Sequence, residues 1–278
     1  ALPAFVGSFL LRKKIIITFH EVWGKLWFEL PFLTLFQRWA FWLFEKLLLQ
    51  LPFTRFVGVS AYTAAALGKA GVAKKRIVRI YNGLDYEQIR TFIPEPLESE
   101  KGKGPYLEYL YYGRLGVSKG LELILPAFRK LVDRDANCRL VLNIPAGPQK
   151  IRNFLERQIE DLQLADYASI RPPVKAFREL ALDIYHTDVV LIPSYSEGFC
   201  FVAAETCAIG TPVISSGRGA LPEVVSGKWN DMQEQSVDGL AKAMWQAREG
   251  KWKQGDLRTF PLSRTVNQYL ECYSRISS

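Results

Sequence analysis

From Tyr106 to Glu249 the chain alternates short β-branched and aromatic runs with longer helical stretches, and few folds accept that alternation. Apolar runs bounded by turn residues read as strands at Tyr106–Tyr112, Arg139–Ile144, Ser169–Arg171, Val189–Pro193 and Pro212–Ser215. Helices are expected over Leu121–Asp133, Gln149–Leu162, Lys175–His186, Phe201–Ile209 and Val237–Glu249. Strands separated by helices pair in parallel and are covered on both faces, so a Rossmann-like α/β domain is expected here.

The earlier part of the chain carries the same signals more sparsely. Ile15–Phe19 is a β-branched run expected to be a strand that empties into a loop at His20. Phe56–Ser60 is expected as a second strand, with Ser60 capping a helix over Ala61–Ala70 that stops at Gly71. Ile77–Tyr81 reads as a third strand, closed by the Asn82-Gly83 turn. The length of 278 residues suits two domains. The expected division is a partial N-terminal domain over 1–93, a polar linker over 94–105 (Pro94 to Pro105), a second domain over 106–262, and a C-terminal helix over 263–278 returning toward the first domain.

Apolar residues make up 49% of the chain, enough for a substantial core and against disorder. The net charge of +8 favours anionic partners, among them nucleotide diphosphates and lipid headgroups. The basic residues are spread along the chain, which argues against nucleic-acid binding. Cys138, Cys200, Cys207 and Cys272 form no C-x-x-C pair and no zinc spacing with His20 and His186, so reduced thiols and a cytoplasmic setting are expected. His186, ahead of Asp188, reads as structural. A Rossmann oxidoreductase is disfavoured because no G-x-G-x-x-G turn follows a first strand.

The residues suited to chemistry lie in two stretches. Gly113-Arg114-Leu115-Gly116-Val117-Ser118-Lys119-Gly120 follows the first strand of the second domain and opens a helix, where Arg114 and Lys119 offer two cations to an anion. Further on, Pro193–Val225 carries Glu197 and Glu205 with seven residues between them, flanked by glycines and apolar runs. That spacing is expected to put Glu197 at the mouth of a helix and Glu205 two turns along it, facing a similar way.

The two stretches, in this order, resemble the donor-sugar signature (E-x7-E) of retaining glycosyltransferases of the GT-B fold, family 4 (glycosyl transferases group 1). The resemblance extends over nearly the whole chain, through Leu2-Pro3-Ala4, Thr18-Phe19-His20, Val59-Ser60 and Tyr81-Asn82-Gly83-Leu84-Asp85. It implies a GT-B architecture of two Rossmann-like domains with parallel sheets, the N-terminal one incomplete. It also implies that Arg114 and Lys119 hold the pyrophosphate, that Glu197 contacts the donor sugar and that Glu205 holds the ribose hydroxyls. Gly113, Gly198, Phe199, Cys200 and Phe201 complete the donor-binding set, and His20 lies near the donor sugar. The catalytic set is then His20, Glu197, Arg114 and Lys119. A carboxylate can accept two hydrogen bonds from a cis-diol, which suits an acidic residue at Glu205. One departure stands out: Cys200 occupies a position where the family usually has Gly.

The activity so implied is transfer of a sugar from a nucleotide-diphosphate donor to a glycan or lipid-linked acceptor with retained configuration. Arg114, Lys119 and a helix N-terminus would stabilise the leaving diphosphate, so neither metal nor cofactor is expected. Asp133-Arg134-Asp135 matches the D-x-D spacing of metal-dependent sugar transferases of another fold, but its place at a helix end is far in sequence from both donor stretches. The family's first N-terminal strands and its Gly-rich acceptor loop are expected ahead of Ala1, and the segment after Gly227 reads as shortened, with Lys228-Trp229-Asn230-Asp231 joining almost directly to the next helix. The rival reading is a donor-binding subunit or fragment, inactive without a partner chain supplying the missing half.

Trp27–Phe53 is unusually aromatic, and Thr34, Gln37, Arg38, Glu45, Lys46 and Gln50 leave its helix only a narrow polar stripe. Packing against an absent N-terminal half and peripheral contact with the inner face of a membrane both explain it. Arg38, Glu45 and Lys46 argue against a full span.

Overall fold

The computed structural model describes residues 2–93, 106–174 and 176–277; the expected linker over 94–105 lies outside them. The chain divides into two compact units, one of Ala1–Leu84, Ser196–Phe199 and Phe260–Ser278, the other of Asp85–Tyr195 and Cys200–Thr259.

The first unit begins with helix α1 (Leu2–Leu10) and strand β1 (Ile16–Phe19). Then follow α2 (Leu35–Gln50), β2 (Arg55–Gly58), α3 (Ala61–Lys69) and β3 (Ile77–Arg79). The strands form a parallel sheet in the order β1-β2-β3, with Phe19 level with Gly58, so His20 and Val59 leave the sheet at the same end. Alternation along β2 sends Phe56 and Val57 into different cores. Phe56 joins Phe19, Val22, Leu49, Phe53 and Leu67, whereas Val57 packs with Ile80 and with Cys272 of the C-terminal helix Leu262–Ser277. Tyr269 on that helix lies 3.0 Å, hydroxyl to hydroxyl, from Thr18 of β1. The cap expected at Ser60 is present, its hydroxyl accepting from the Thr63 amide at 3.0 Å.

The second unit opens with α4 (Tyr86–Phe92), a helix absent from the sequence reading, capped by the Asp85 carboxylate on the Gln88 amide. The elements then alternate: β4 (Leu107–Tyr112), α5 (Leu121–Val132), β5 (Cys138–Asn143), α6 (Gln149–Asp161), β6 (Ala168–Arg171), α7 (Phe177–His186), β7 (Val189–Ile192), α8 (Phe201–Ile209), β8 (Val213–Ser215) and α9 (Leu221–Val224). After them come β9 (Gly227–Asp231), α10 (Val237–Arg248) and β10 (Lys253–Gly255). The residues expected to run almost directly into the next helix are therefore a strand. Trp229 at its centre lies level with Val213 of β8 and with Lys253 of β10.

The sheet runs β10-β9-β8-β7-β4-β5-β6, parallel throughout except for the antiparallel β10–β9 pair. Chain order proceeds outward from β4 to β6 on one side, then restarts at β7 on the other side of β4. The sheet therefore reverses between β4 and β7. In open α/β sheets, ligands bind outside the carboxyl ends of the strands at such a reversal.

Candidate functional site

In the second unit, the segments leaving β4 and β7 flank this reversal. Tyr112 ends β4 and the chain turns through Gly113–Gly120, with the Gly116 amide on the Arg114 carbonyl at 3.0 Å and the Lys119 amide on the Gly116 carbonyl at 3.1 Å. Tyr111 fixes the turn from below, its hydroxyl donating to the Arg114 carbonyl at 3.1 Å. The Tyr195 amide donates to the Ser118 carbonyl at 2.7 Å, which ties the segment after β7 to the turn after β4.

Gly120 closes the turn at a positive φ of 66°, and a Cβ there would stand 2.0 Å from the Pro193 carbonyl oxygen. That oxygen also accepts from Gln235 Nε2 at 2.6 Å. Only glycine fits between the two segments. Lys119 is thereby fixed two residues ahead of α5, half-buried, and Arg114 is exposed at the turn. Two cations beside a helix N-terminus suit a diphosphate.

Helix α8 starts at Phe201, as expected from sequence. Glu205 is its fifth residue, one turn in and not two, and Glu197 lies four residues ahead of the helix. The two carboxylates do not share a face of one helix: Glu197 groups with the first unit and Glu205 with the second.

Glu205 Oε2 lies 3.2 Å from the hydroxyl of Tyr112, the last residue of β4. That hydroxyl also sits 3.0 Å from the Val202 carbonyl and 3.1 Å from Thr206 Oγ1. Burial pushes the Glu205 carboxyl up to about 7, partly opposed by the Tyr112 hydrogen bond, which favours the charged form. Burial likewise holds the Tyr112 phenol well above its ordinary range, with the Glu205 charge adding to the shift.

Sequence reasoning passed over Tyr112, Tyr195 and Gln235. Tyr112 reads as one more aromatic residue in a strand, and its acidic partner appears only when β4 packs on α8.

Cys200 is the N-cap of α8 with φ 77° and ψ 86°, in left-handed space where an L side chain is strained and glycine is not. The departure noted in the sequence thus falls on a backbone conformation that favours Gly. Its side chain is buried. The first amides of any helix lack intrahelical partners, so the Cys200–Phe201 end of α8 presents donors beside Gly113, whose added Cβ would lie 3.7 Å from Val202 Cγ2.

In the first unit, Ser196–Phe199 packs on the end of the small sheet. A Cβ on Gly198 would stand 1.5 Å from the His20 carbonyl oxygen. Thr63, itself linked to Ser60 at 3.1 Å, donates from Oγ1 to the Gly198 carbonyl at 3.2 Å. Phe199 packs edge-on against Phe260 at 5.0 Å, and Tyr81 lies 5.2 Å from Phe260. Glu197 is buried, next in chain to this contact, and His20 is exposed. The His20 backbone and the Glu197–Gly198 segment, distant in sequence, therefore meet. His186 stacks edge-on against Tyr185 at 5.2 Å.

Asp133 and Asp135, the D-x-D pair, are engaged elsewhere. Asp133 pairs with Arg129 at 2.8 Å, and Asp135 pairs with Arg248 at 2.6 Å while accepting from the Asn137 amide. Among the described residues no group of three or more His, Cys, Asp or Glu is disposed to hold a metal ion, and the four cysteines are free thiols.

The aromatic segment folds as a short 3-10 helix (Gly24–Phe28) laid along α2. Two polar residues of α2, Arg38 and Glu45, turn toward this loop. Glu45 accepts from the amides of Trp23 at 2.9 Å and Gly24 at 2.7 Å and from Trp27 Nε1 at 3.2 Å, and Arg38 donates to the carbonyls of Phe28 at 2.8 Å and Leu30 at 3.0 Å. Consequently the outer face of α2 keeps Leu35, Phe36, Trp39, Leu43, Phe44 and Leu47, with Phe36 81% and Trp39 57% exposed. No described helix is long and apolar enough to cross a membrane.

Residues 95–246 match the family described as Glycosyl transferases group 1, and residues 1–88 match Glycosyltransferase Family 4. A D-inositol 3-phosphate glycosyltransferase of Paenarthrobacter aurescens is 33% identical over 180 residues, 59% of this chain and 43% of that protein. One from Mycobacterium marinum is 27% identical over 217 residues, 72% of this chain and 45% of that protein. The chain thus spans less than half the length of these curated relatives. Among solved structures, Anabaena Alr3699/HepE in complex with UDP and glucose is 17% identical with a TM-score of 0.72, over 98% of this chain and 74% of that one. Sucrose-phosphate synthase from Thermosynechococcus elongatus is 22% identical with a TM-score of 0.74, over 98% and 71%. These likenesses show the fold, the α/β GT-B architecture with two Rossmann-like domains. The group 1 match takes in more than half of the chain, including the Gly113–Gly120 turn and α8, and on that ground the chain belongs to the glycosyl transferases group 1 family.

Proposed function

We propose that this chain binds a nucleotide-diphosphate sugar and transfers the sugar to a glycan or lipid-linked acceptor with retained configuration and without a metal. The observation that carries this reading is the reversal between β4 and β7, where Arg114, Lys119, the start of α8 and Glu205 lie on segments that leave the two strands. Arg114 and Lys119 take the charge that develops on the departing diphosphate, the role a metal ion would otherwise fill. Glu205 accepts from the ribose hydroxyls. Gly113, Gly198, Phe199, Cys200 and Phe201 complete the donor surface. Glu197 contacts the sugar, with His20 as its neighbour in the catalytic set. The UDP and glucose named for HepE make a uridine donor the first to test.

The test is transfer from UDP-glucose in EDTA, with the anomeric proton of the product followed by NMR. An α product from the α-linked donor supports the reading. A β product, or turnover only with added Mg²⁺, contradicts it.

The outer face of α2 supports a peripheral contact with the cytoplasmic face of a membrane, which suits a lipid-linked acceptor. Aromatic and leucine side chains face outward there because Arg38 and Glu45 are engaged by the Trp23–Leu30 loop. Lys46 lies 4.4 Å from the Trp42 ring centroid and adds a cation on this helix.

A further inference from the structure

The half-buried Glu205 and the buried Tyr112 form an acid–phenol pair in which the donor-site reading leaves Tyr112 without a role. The Tyr112 hydroxyl has one proton and three neighbours: the Val202 carbonyl at 3.0 Å, Thr206 Oγ1 at 3.1 Å and Glu205 Oε2 at 3.2 Å. Thr206 has a proton of its own to give, so the phenol proton goes to Val202 or to Glu205. When Glu205 is ionised, the charge-assisted bond is the stronger of the two.

We propose that Tyr112 is a positioning residue for donor binding: its hydroxyl tethers Oε2 of Glu205 and leaves Oε1 to accept from a ribose diol. This rests on the donor-site reading of Glu205. The strand supports the tether well. Tyr112 is buried and closes β4, where it lies level with Asn143 of β5, so its ring has little freedom to follow a moving carboxylate.

The ionisable groups near Glu205 are few. Tyr112 on β4 acts on it directly, and Cys200, ahead of α8, acts on the Tyr112 end of the pair. Of the elements packed on α8, α4 carries Tyr86, Glu87 and Arg90, α7 carries Arg178, Glu179, Asp183, Tyr185 and His186, α9 carries Glu223, and β7 and β8 carry no ionisable side chain. Burial and the Tyr112 hydrogen bond are the causes that set Glu205. Removing the phenol hydroxyl takes a donor from the charged form, so the carboxyl then ionises at higher pH.

The experiment compares the wild type with Tyr112→Phe by two readouts. Carboxyl ¹³C NMR, with the Glu205 signal assigned by its loss in Glu205→Gln, follows ionisation without any ligand. Calorimetry from pH 6 to 9 follows binding of UDP-, GDP-, ADP- and dTDP-glucose, whose phosphates do not titrate in that range.

The expected result is an NMR midpoint moved to higher pH in Tyr112→Phe. Affinity for the nucleotide sugar that binds should fall about three- to tenfold at pH 7, the worth of one hydrogen bond, and the deficit should shrink at pH 9. A lowered unfolding temperature with an unmoved midpoint would mean that Tyr112 only clamps the Val202 carbonyl, and would overturn the proposal. So would a moved midpoint with an unchanged affinity profile. If no nucleotide sugar binds the wild type while the midpoint still moves, the donor-site reading fails and the Tyr112–Glu205 coupling survives without its role.

Discussion

The His20 carbonyl oxygen occupies the space where residue 198 would carry a side chain: a Cβ on Gly198 would be 1.5 Å away. The main chain of the Glu197–Gly198–Phe199 segment is therefore pressed against the exit of β1, with Thr63 holding its carbonyl. Gly198→Ala must push backbone off backbone. We expect a loss of about 1–3 kcal/mol of stability, the usual range for overpacking, measured by urea unfolding. An unchanged midpoint would show that the segment does not pack in this way.

At residue 200 the strain lies in φ, not in space. With φ at 77°, any Cβ is disfavoured. Comparing Cys200→Gly with Cys200→Ala cancels the loss of the thiol and isolates the backbone. The Gly variant should be the more stable by about 1 kcal/mol. An Ala variant equal to or better than Gly would contradict the left-handed cap.

Glu205 links stability to pH in a direction opposite to most carboxylates. Burial raises its folded value to about 7 from an ordinary value of 4.5. Between these values the native state binds more protons than the unfolded chain, so its stabilising contribution is present below 4.5 and is lost as pH rises through about 7. Thermal unfolding followed from pH 4.5 to 8 should show Glu205→Gln gaining on the wild type as pH rises. A constant difference would place the carboxyl in a wetter setting.

How much of this was legible in the sequence depended on what each residue signals alone. Helix α8 was legible to the residue, because Gly198 and Gly210 bracket an apolar, alanine-rich run. Strand β4 was legible from its apolar and aromatic residues. Strand β9 was not, because only Trp229 in Gly227–Asp231 is large and apolar, and the edge strand β10 is exposed throughout, so neither carries an alternating burial pattern. Helix α4 could have been found from Asp85 and Gln88, which stand at capping-box spacing. Arg114 and Lys119 stood out because cations flanked by glycines after a strand are unusual. Tyr112 did not, since its partner lies 93 positions away. The expected placing of Glu197 at the mouth of a helix, with Glu205 two turns along it, failed because residues 196–199 are loop, and the 3.6-residue period says nothing about a loop.

The outward face of α2 gives a surface prediction. Phe36→Ser and Trp39→Ser together remove two of its most exposed rings without touching Arg38 or Glu45. Co-sedimentation with vesicles containing anionic lipid should fall at least tenfold, about the transfer free energy of two partly buried aromatic side chains. The unfolding temperature should fall only slightly, through loss of the Trp39 ring contacts with Phe28 at 4.8 Å and Trp42 at 5.4 Å. Equal sedimentation of variant and wild type, or none by either, would remove the membrane contact.

The most direct measurement is calorimetric titration with UDP, GDP, ADP and dTDP in EDTA, beside Lys119→Ala. One nucleotide should bind without metal, and Lys119→Ala should weaken it about tenfold or more, as expected for a lost charge-assisted contact to phosphate. Binding of none of the four, or binding that Lys119→Ala leaves unchanged, would contradict a diphosphate site at the reversal between β4 and β7.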